Sequence, residues 1–299
     1  MNDVPDHSAG TCQWLLSEPS NRLVFVFLST DDIWISPLSW ETTIHFSSKN
    51  SSHFWLLPFK WLLPFNVAKC STLHLGPTNP RSTYAIQGIP LQQTSVERDL
   101  GVLVDEQLKF REQAAAAASR ANRVLGLIKH AFCQLNCSTL PLLYKAIVRP
   151  ILEYGNQTWG PFNMADKKLL ERVQRRATKL IPDLQHRPYQ ERLQVLGLPS
   201  LQYRRRRGDM ISMFNMMHRR IGLDKENFFS KPRAAQTRGH PLKVAKLQAS
   251  TRTRINHFTT RVVNDWNSLP EDVVCAPSVN AFKHRLDKHW INLAYEAPD

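Results

Sequence analysis

The chain has 299 residues, with 39 Lys+Arg against 25 Asp+Glu for a formal net charge of +14, and 42% of its residues are hydrophobic. That length allows one or two domains, and that apolar fraction is enough for a core, so wholesale disorder is excluded. Five cysteines at irregular spacing exclude a disulfide-stapled secreted scaffold, and 19 prolines against 11 glycines predict broken helices.

Charge is spread unevenly. Residues 1–64 carry three bases against six acids, whereas residues 65–299 carry 36 against 19, a net of +17. A segment that basic points to a polyanionic partner, most often nucleic acid. The start, Met1-Asn2-Asp3-Val4-Pro5-Asp6, lacks the positive region of a signal peptide. The apolar stretches Leu23–Ile35 and Phe54–Phe65 are broken by Asp31-Asp32 and by Pro58, Lys60 and Pro64. Neither reaches the roughly 18–20 uninterrupted apolar residues of a membrane span, so no membrane association is expected and an intracellular location, nucleus or cytoplasm, is.

Residues 1–64 read as a poorly ordered leader. Trp55-Leu56-Leu57-Pro58-Phe59-Lys60 is followed at once by the near-copy Trp61-Leu62-Leu63-Pro64-Phe65-Asn66, and the strand-like runs before it are Leu23–Leu28 and Ile33–Ile35. From residue 65 the pattern becomes regular. Tyr84–Leu91 predicts a hairpin turning at Gln87-Gly88, and Leu100–Val104 predicts a strand ending at Asp105-Glu106. Ala118, Ala121, Leu125, Ile128 and Phe132 recur at helical spacing as one buried stripe. Further helices are predicted at about 138–158, 164–181, 188–196, 200–220 and 279–290, with an extended loop or short strands over 231–256. The predicted class is α+β and mostly α.

A set of strings carries more. Phe65-Asn66-Val67-Ala68-Lys69-Cys70 and Leu73-His74-Leu75-Gly76 come first, then Glu97–Asp105 (ERDLGVLVD) and Leu143–Tyr154 (LYKAIVRPILEY). Leu170–Lys179 (LERVQRRATK), Tyr189–Leu193 (YQERL) and Arg261–Pro270 (RVVNDWNSLP) follow. In this order they resemble the reverse transcriptases of non-LTR retrotransposons, especially jockey-like and chicken-repeat-like long interspersed elements. The resemblance implies the end of a polymerase palm over 65–105, a helical thumb-like region over 106–220 and a C-terminal extension over 221–299. It also matches Lys69 to a late palm lysine near the incoming nucleotide, a position equally consistent with a surface lysine.

Polymerase chemistry needs carboxylates that hold two metal ions about 4 Å apart. The family supplies them, with Mg²⁺, upstream of the lysine motif. Here Ser29-Thr30-Asp31-Asp32 imitates the catalytic hairpin, but Ser-Thr stands where the family has an aromatic-Ala pair, and no family string surrounds it. The expectation is a truncated, inactive polymerase fragment with no catalytic residue, no metal site and no cofactor of its own. The alternatives are a basic helical interaction protein and a translated pseudogene fragment without a defined role.

Other chemistry is weaker. His130, Cys133 and Cys137 offer three soft donors without the fourth that zinc wants, and core cysteines are expected. Met210, Met213, Phe214 and Met217 lie on one helical face, expected to be core. The candidate binding site is Lys168, Arg172, Arg175 and Lys179, whose spacing puts them within an arc of about 60° on one helix. Leu169, Val173, Ala177 and Leu180 are expected to dock on the other side. Such a row matches nucleic-acid phosphates without reading bases. Arg204–Arg207 spread around the helix circumference, so some of them are expected to snorkel or to pair with neighbours such as Asp209.

Overall fold

The computed structural model describes residues 11–17, 23–29 and 66–298, apart from 78, 87, 133, 223 and 233–238. The chain divides into two compact units at Leu108/Lys109. It is α+β and mostly helical, with small sheets confined to the first unit.

In the first unit, β1 (Thr11–Ser17), β2 (Leu23–Ser29), β3 (Ser71–His74) and β6 (Gln92–Thr94) form one sheet in that order. β1–β2 and β2–β3 are antiparallel, and β3–β6 is parallel. The strand over Leu23–Ser29 was legible in the sequence; its partner β1 was not. Ile33–Ile35 and Asp31-Asp32 lie outside the described residues. β4 (Ala85–Ile86) and β5 (Ile89–Pro90) form the hairpin expected around Gln87-Gly88, with Gly88 in the left-handed region at φ 75°. The run Leu100–Val104 is not one strand. Leu100 (φ 44°) and Gly101 (φ 81°) make a two-residue turn between β7 (Val96–Asp99) and β8 (Val102–Asp105), and positive φ at both positions matches a hairpin's twist.

The second unit opens with α1 (Arg111–Ala131), which buries Ala114, Ala117, Ala118, Ala121, Leu125 and Ile128. Phe132, expected in that stripe, stands past the helix end and is exposed. The single helix expected over 138–158 is broken: α2 (Thr139–Leu143), a π turn (Tyr144–Val148), α3 (Arg149–Glu153) and α4 (Asn156–Trp159). Pro150 has no N–H to give Ala146, and Arg149 N–H instead reaches back to the Tyr144 carbonyl, which widens the turn. Tyr154 turns extended and Gly155 left-handed (φ 62°), ending α3.

Then come α5 (Met164–Thr178), α6 (Tyr189–Leu196) and α7 (Leu201–Met217). Gly197, at φ 56°, closes α6: its N–H and that of Leu198 satisfy the Gln194 and Leu193 carbonyls. In the stretch 231–256, α8 (Arg252–Asn256) is a short helix rather than a strand. α9 (Phe258–Asn267) and α10 (Glu271–Val274), which periodicity did not reveal, precede α11 (Val279–His289). The face Met210, Met213, Phe214 and Met217 of α7 is core. It packs with Val262 and Trp266 of α9 and Phe282 and Leu286 of α11, with Phe214 and Phe282 stacked at 4.4 Å between centroids.

Candidate functional site

α5 is positioned by buried polar groups as much as by apolar ones. Leu170, Val173 and Ala177 are buried as a helical stripe requires, but so are Glu171, Gln174 and Thr178. Leu169 and Leu180, expected on the docked side, are only half-buried, because the deep face is rotated toward Leu170 and Gln174. Gln174 accepts from Tyr144 Oη–H at 2.8 Å and donates to the Pro199 carbonyl at 3.0 Å. Glu171 accepts from Tyr189 Oη–H at 2.6 Å and from the Leu201 N–H at 3.1 Å, which places a carboxylate at the first turn of α7 beside its Ser200 cap. Burial pushes the Glu171 carboxyl above the usual range, against these hydrogen bonds and the Arg205 and Arg175 charges. At the other end, Arg192 donates to the Arg175 carbonyl and to Thr178 Oγ1, covering the last carbonyls of α5 with a cation.

This anchoring fixes which side of α5 faces water. Arg172 and Lys179 are exposed and Lys168 is half-buried. Arg175 is also half-buried and already engaged: it donates to the Pro298 carbonyl at 3.0 Å and lies 4.3 Å from the Tyr189 ring centroid. Lys179 is one residue past the helix, still in the right-handed helical region. Arg176, which helical spacing had not singled out, is exposed on this side and donates to Asn122 Oδ1 of α1 at 3.1 Å. Its signal was present, since Arg176 stands four residues after Arg172 and shares its face. An open cleft of about 490 Å³ between α1 and α5 lies alongside, lined by Ala115, Ala118, Ser119, Asn122, Arg123 and Leu169. Exposed Arg123 adds a cation beside it that no periodicity could assign.

Of the run Arg204–Arg207, Arg204, Arg206 and Arg207 pair as expected, though not with Asp209, and Arg205 does not. Arg204 forks onto Glu153, Arg206 onto Asp265 through two 3.0 Å bonds, and Arg207 onto Asp287. Asp209 is instead clamped by Arg261 through two 2.9 Å bonds. Arg204, Arg206 and Arg207 hold α3, α9 and α11 onto α7.

Lys69 is exposed at the end of the 3-10 turn Val67–Lys69, just before β3. His130 and Cys137 are exposed, and Cys133 lies outside the described residues. Among the described residues, no group of three His, Cys, Asp or Glu side chains could hold a metal ion, and no helix is long and apolar enough to cross a membrane.

No family model matches the chain, and no solved structure does. Over 129 residues it is 27% identical to a probable RNA-directed DNA polymerase from transposon X-element of Drosophila melanogaster. That match covers 41% of this chain and 14% of the fly protein. The likeness is distant and partial, and it supports a relationship between this chain and the reverse transcriptases of non-LTR retrotransposons.

Proposed function

We propose that the chain derives from the C-terminal part of a retrotransposon reverse transcriptase, with residues 65–105 a palm remnant, 106–220 thumb-like and 221–299 an extension. We further propose that its helical body binds nucleic acid by the sugar–phosphate backbone. The observation that carries this reading is the exposure of Arg172, Arg176 and Lys179 along one side of α5, whose opposite side is buried. Lys168 and Arg123 of α1 extend the cationic surface. Cations spaced along one exposed helix side match a row of phosphates, and binding through phosphates is indifferent to sequence.

Fluorescence anisotropy with labelled duplexes of unrelated sequence tests it. The reading predicts equal affinity for each duplex, weakened alike by salt. A marked preference for one duplex contradicts it.

A further inference from the structure

A second cationic feature lies away from the exposed side of α5, in a recess of about 190 Å³ between α4, α5, α7 and α9. Four cations line it, Lys167, Arg205, Arg206 and Arg261, against two carboxylates, Asp209 and Asp265. Both carboxylates are already taken, Asp209 by Arg261 and Asp265 by Arg206, each through two hydrogen bonds. Among the described residues, neither Arg205 nor Lys167 makes a hydrogen bond to a carboxylate, although the Glu171, Glu153 and Asp209 charges act on Arg205. Glu153 is occupied by Arg204, and Glu171 by Tyr189 and the start of α7.

Arg205 is the anomaly. Its side chain is 7% exposed, and neither Nη1 nor Nη2 has a hydrogen-bond partner. A buried, unsatisfied guanidinium is costly, and it is retained where something completes it. The neighbouring Asn156 Oδ1 is buried and unsatisfied too, and it also lines the recess. Burial first, and then the Arg205 and Arg206 charges, hold Lys167 below the usual lysine range. The volume equals about six waters at roughly 30 Å³ each, and water supplies no charge.

We propose that this recess is a binding site for a phosphate-class oxyanion, held by Arg205 and Lys167 with Arg206 at its edge. Lys167 and Arg206 line the recess, and the Arg205 guanidinium and Asn156 Oδ1, closed to water in the unliganded chain, turn to meet the oxyanion: its acceptors take both guanidinium nitrogens and a protonated oxygen donates to Asn156. Free orthophosphate and the terminal phosphate of a nucleotide share this chemistry. The site does not depend on the surface row of α5, and its failure leaves that row untouched.

The test is thermal unfolding of the full chain in sodium phosphate against sodium chloride of equal ionic strength. Phosphate should raise the Tm saturably beyond chloride. Lys167→Gln should weaken the apparent affinity about tenfold, as loss of one charged hydrogen bond implies. Lys129→Gln, an exposed lysine on α1, should leave the response unchanged. Arg205→Met should abolish the phosphate response while remaining folded in chloride, because a buried unpaired charge is removed. Thymidine 5′-monophosphate distinguishes the sources: a shift at least as large assigns the site to a nucleotide's phosphate, and a smaller one to orthophosphate, either supporting the proposal. No shift beyond chloride, or an equal shift in Lys167→Gln, overturns it.

Discussion

Arg204, Arg206 and Arg207 stand almost side by side in the sequence, yet they reach three carboxylates on three different elements. The sequence showed that consecutive residues spread around a helix and need separate partners, but Asp209, the nearest carboxylate, goes to Arg261. Pairing between distant segments depends on tertiary packing, which local spacing does not encode. The same limit hid Glu171, whose burial could not be read from a helix pattern that favours apolar faces. Glu171 gives a prediction with a definite sign. Its carboxyl is held above the unfolded value of about 4.3, so its contribution to stability is complete below that pH and is lost as pH rises through the folded value. Urea unfolding of Glu171→Gln should therefore gain on the parent between pH 4 and pH 7; a difference that is flat with pH contradicts this. Gly160 gives another. A Cβ there would sit 3.1 Å from the Asn156 carbonyl and 3.2 Å from Arg261 Nη2, so Gly160→Ala crowds a fixed backbone carbonyl and the arginine that clamps Asp209. A loss of about 1–3 kcal/mol in denaturant unfolding is expected.

Long, strongly periodic segments were legible as elements. α5, α6, α7 and α11 begin and end within a few residues of the predicted limits, and the methionine face of α7 is core as periodicity required. The errors have identifiable causes. Pro150 and Gly155 divide the stretch after residue 138, because one removes an N–H and the other adopts a left-handed turn. β1 was not recognised, and α9 was not picked out although it carries Val262, Val263 and Trp266 into the core. In the candidate site, Arg172 and Lys179 lie on the exposed side as the helical spacing implied, while Arg175 is drawn inward by Tyr189 and Pro298. At the β7–β8 turn, Leu100 occupies a position that costs an L-residue other than Asn or Gly about 1–2 kcal/mol. Leu100→Asn in the full chain should slow hydrogen exchange of the β7–β8 amides. Unchanged or faster exchange would show that the Leu100 side chain offsets its backbone strain.

At the scale of the molecule, the uneven charge is what motivates the proposed polyanionic ligand. Polymerisation by this chain is not expected. Primer extension with Mg²⁺ or Mn²⁺ should give no product, and incorporation abolished by Asp31→Ala and Asp32→Ala would restore the catalytic hairpin that the sequence only imitates. The central claim is that the exposed cations of α5 meet nucleic-acid phosphates. It is tested most directly by the slope of log affinity against log salt for a duplex, in the parent and in Lys168→Gln/Arg172→Gln/Arg176→Gln/Lys179→Gln. Arg175 is left intact in that variant because its bonds to Pro298 and Tyr189 are structural. The account predicts weaker binding to every sequence and a slope flattened by about 0.9 for each phosphate no longer neutralised. Affinity and slope that survive all four substitutions would show that α5 presents only a solvated face.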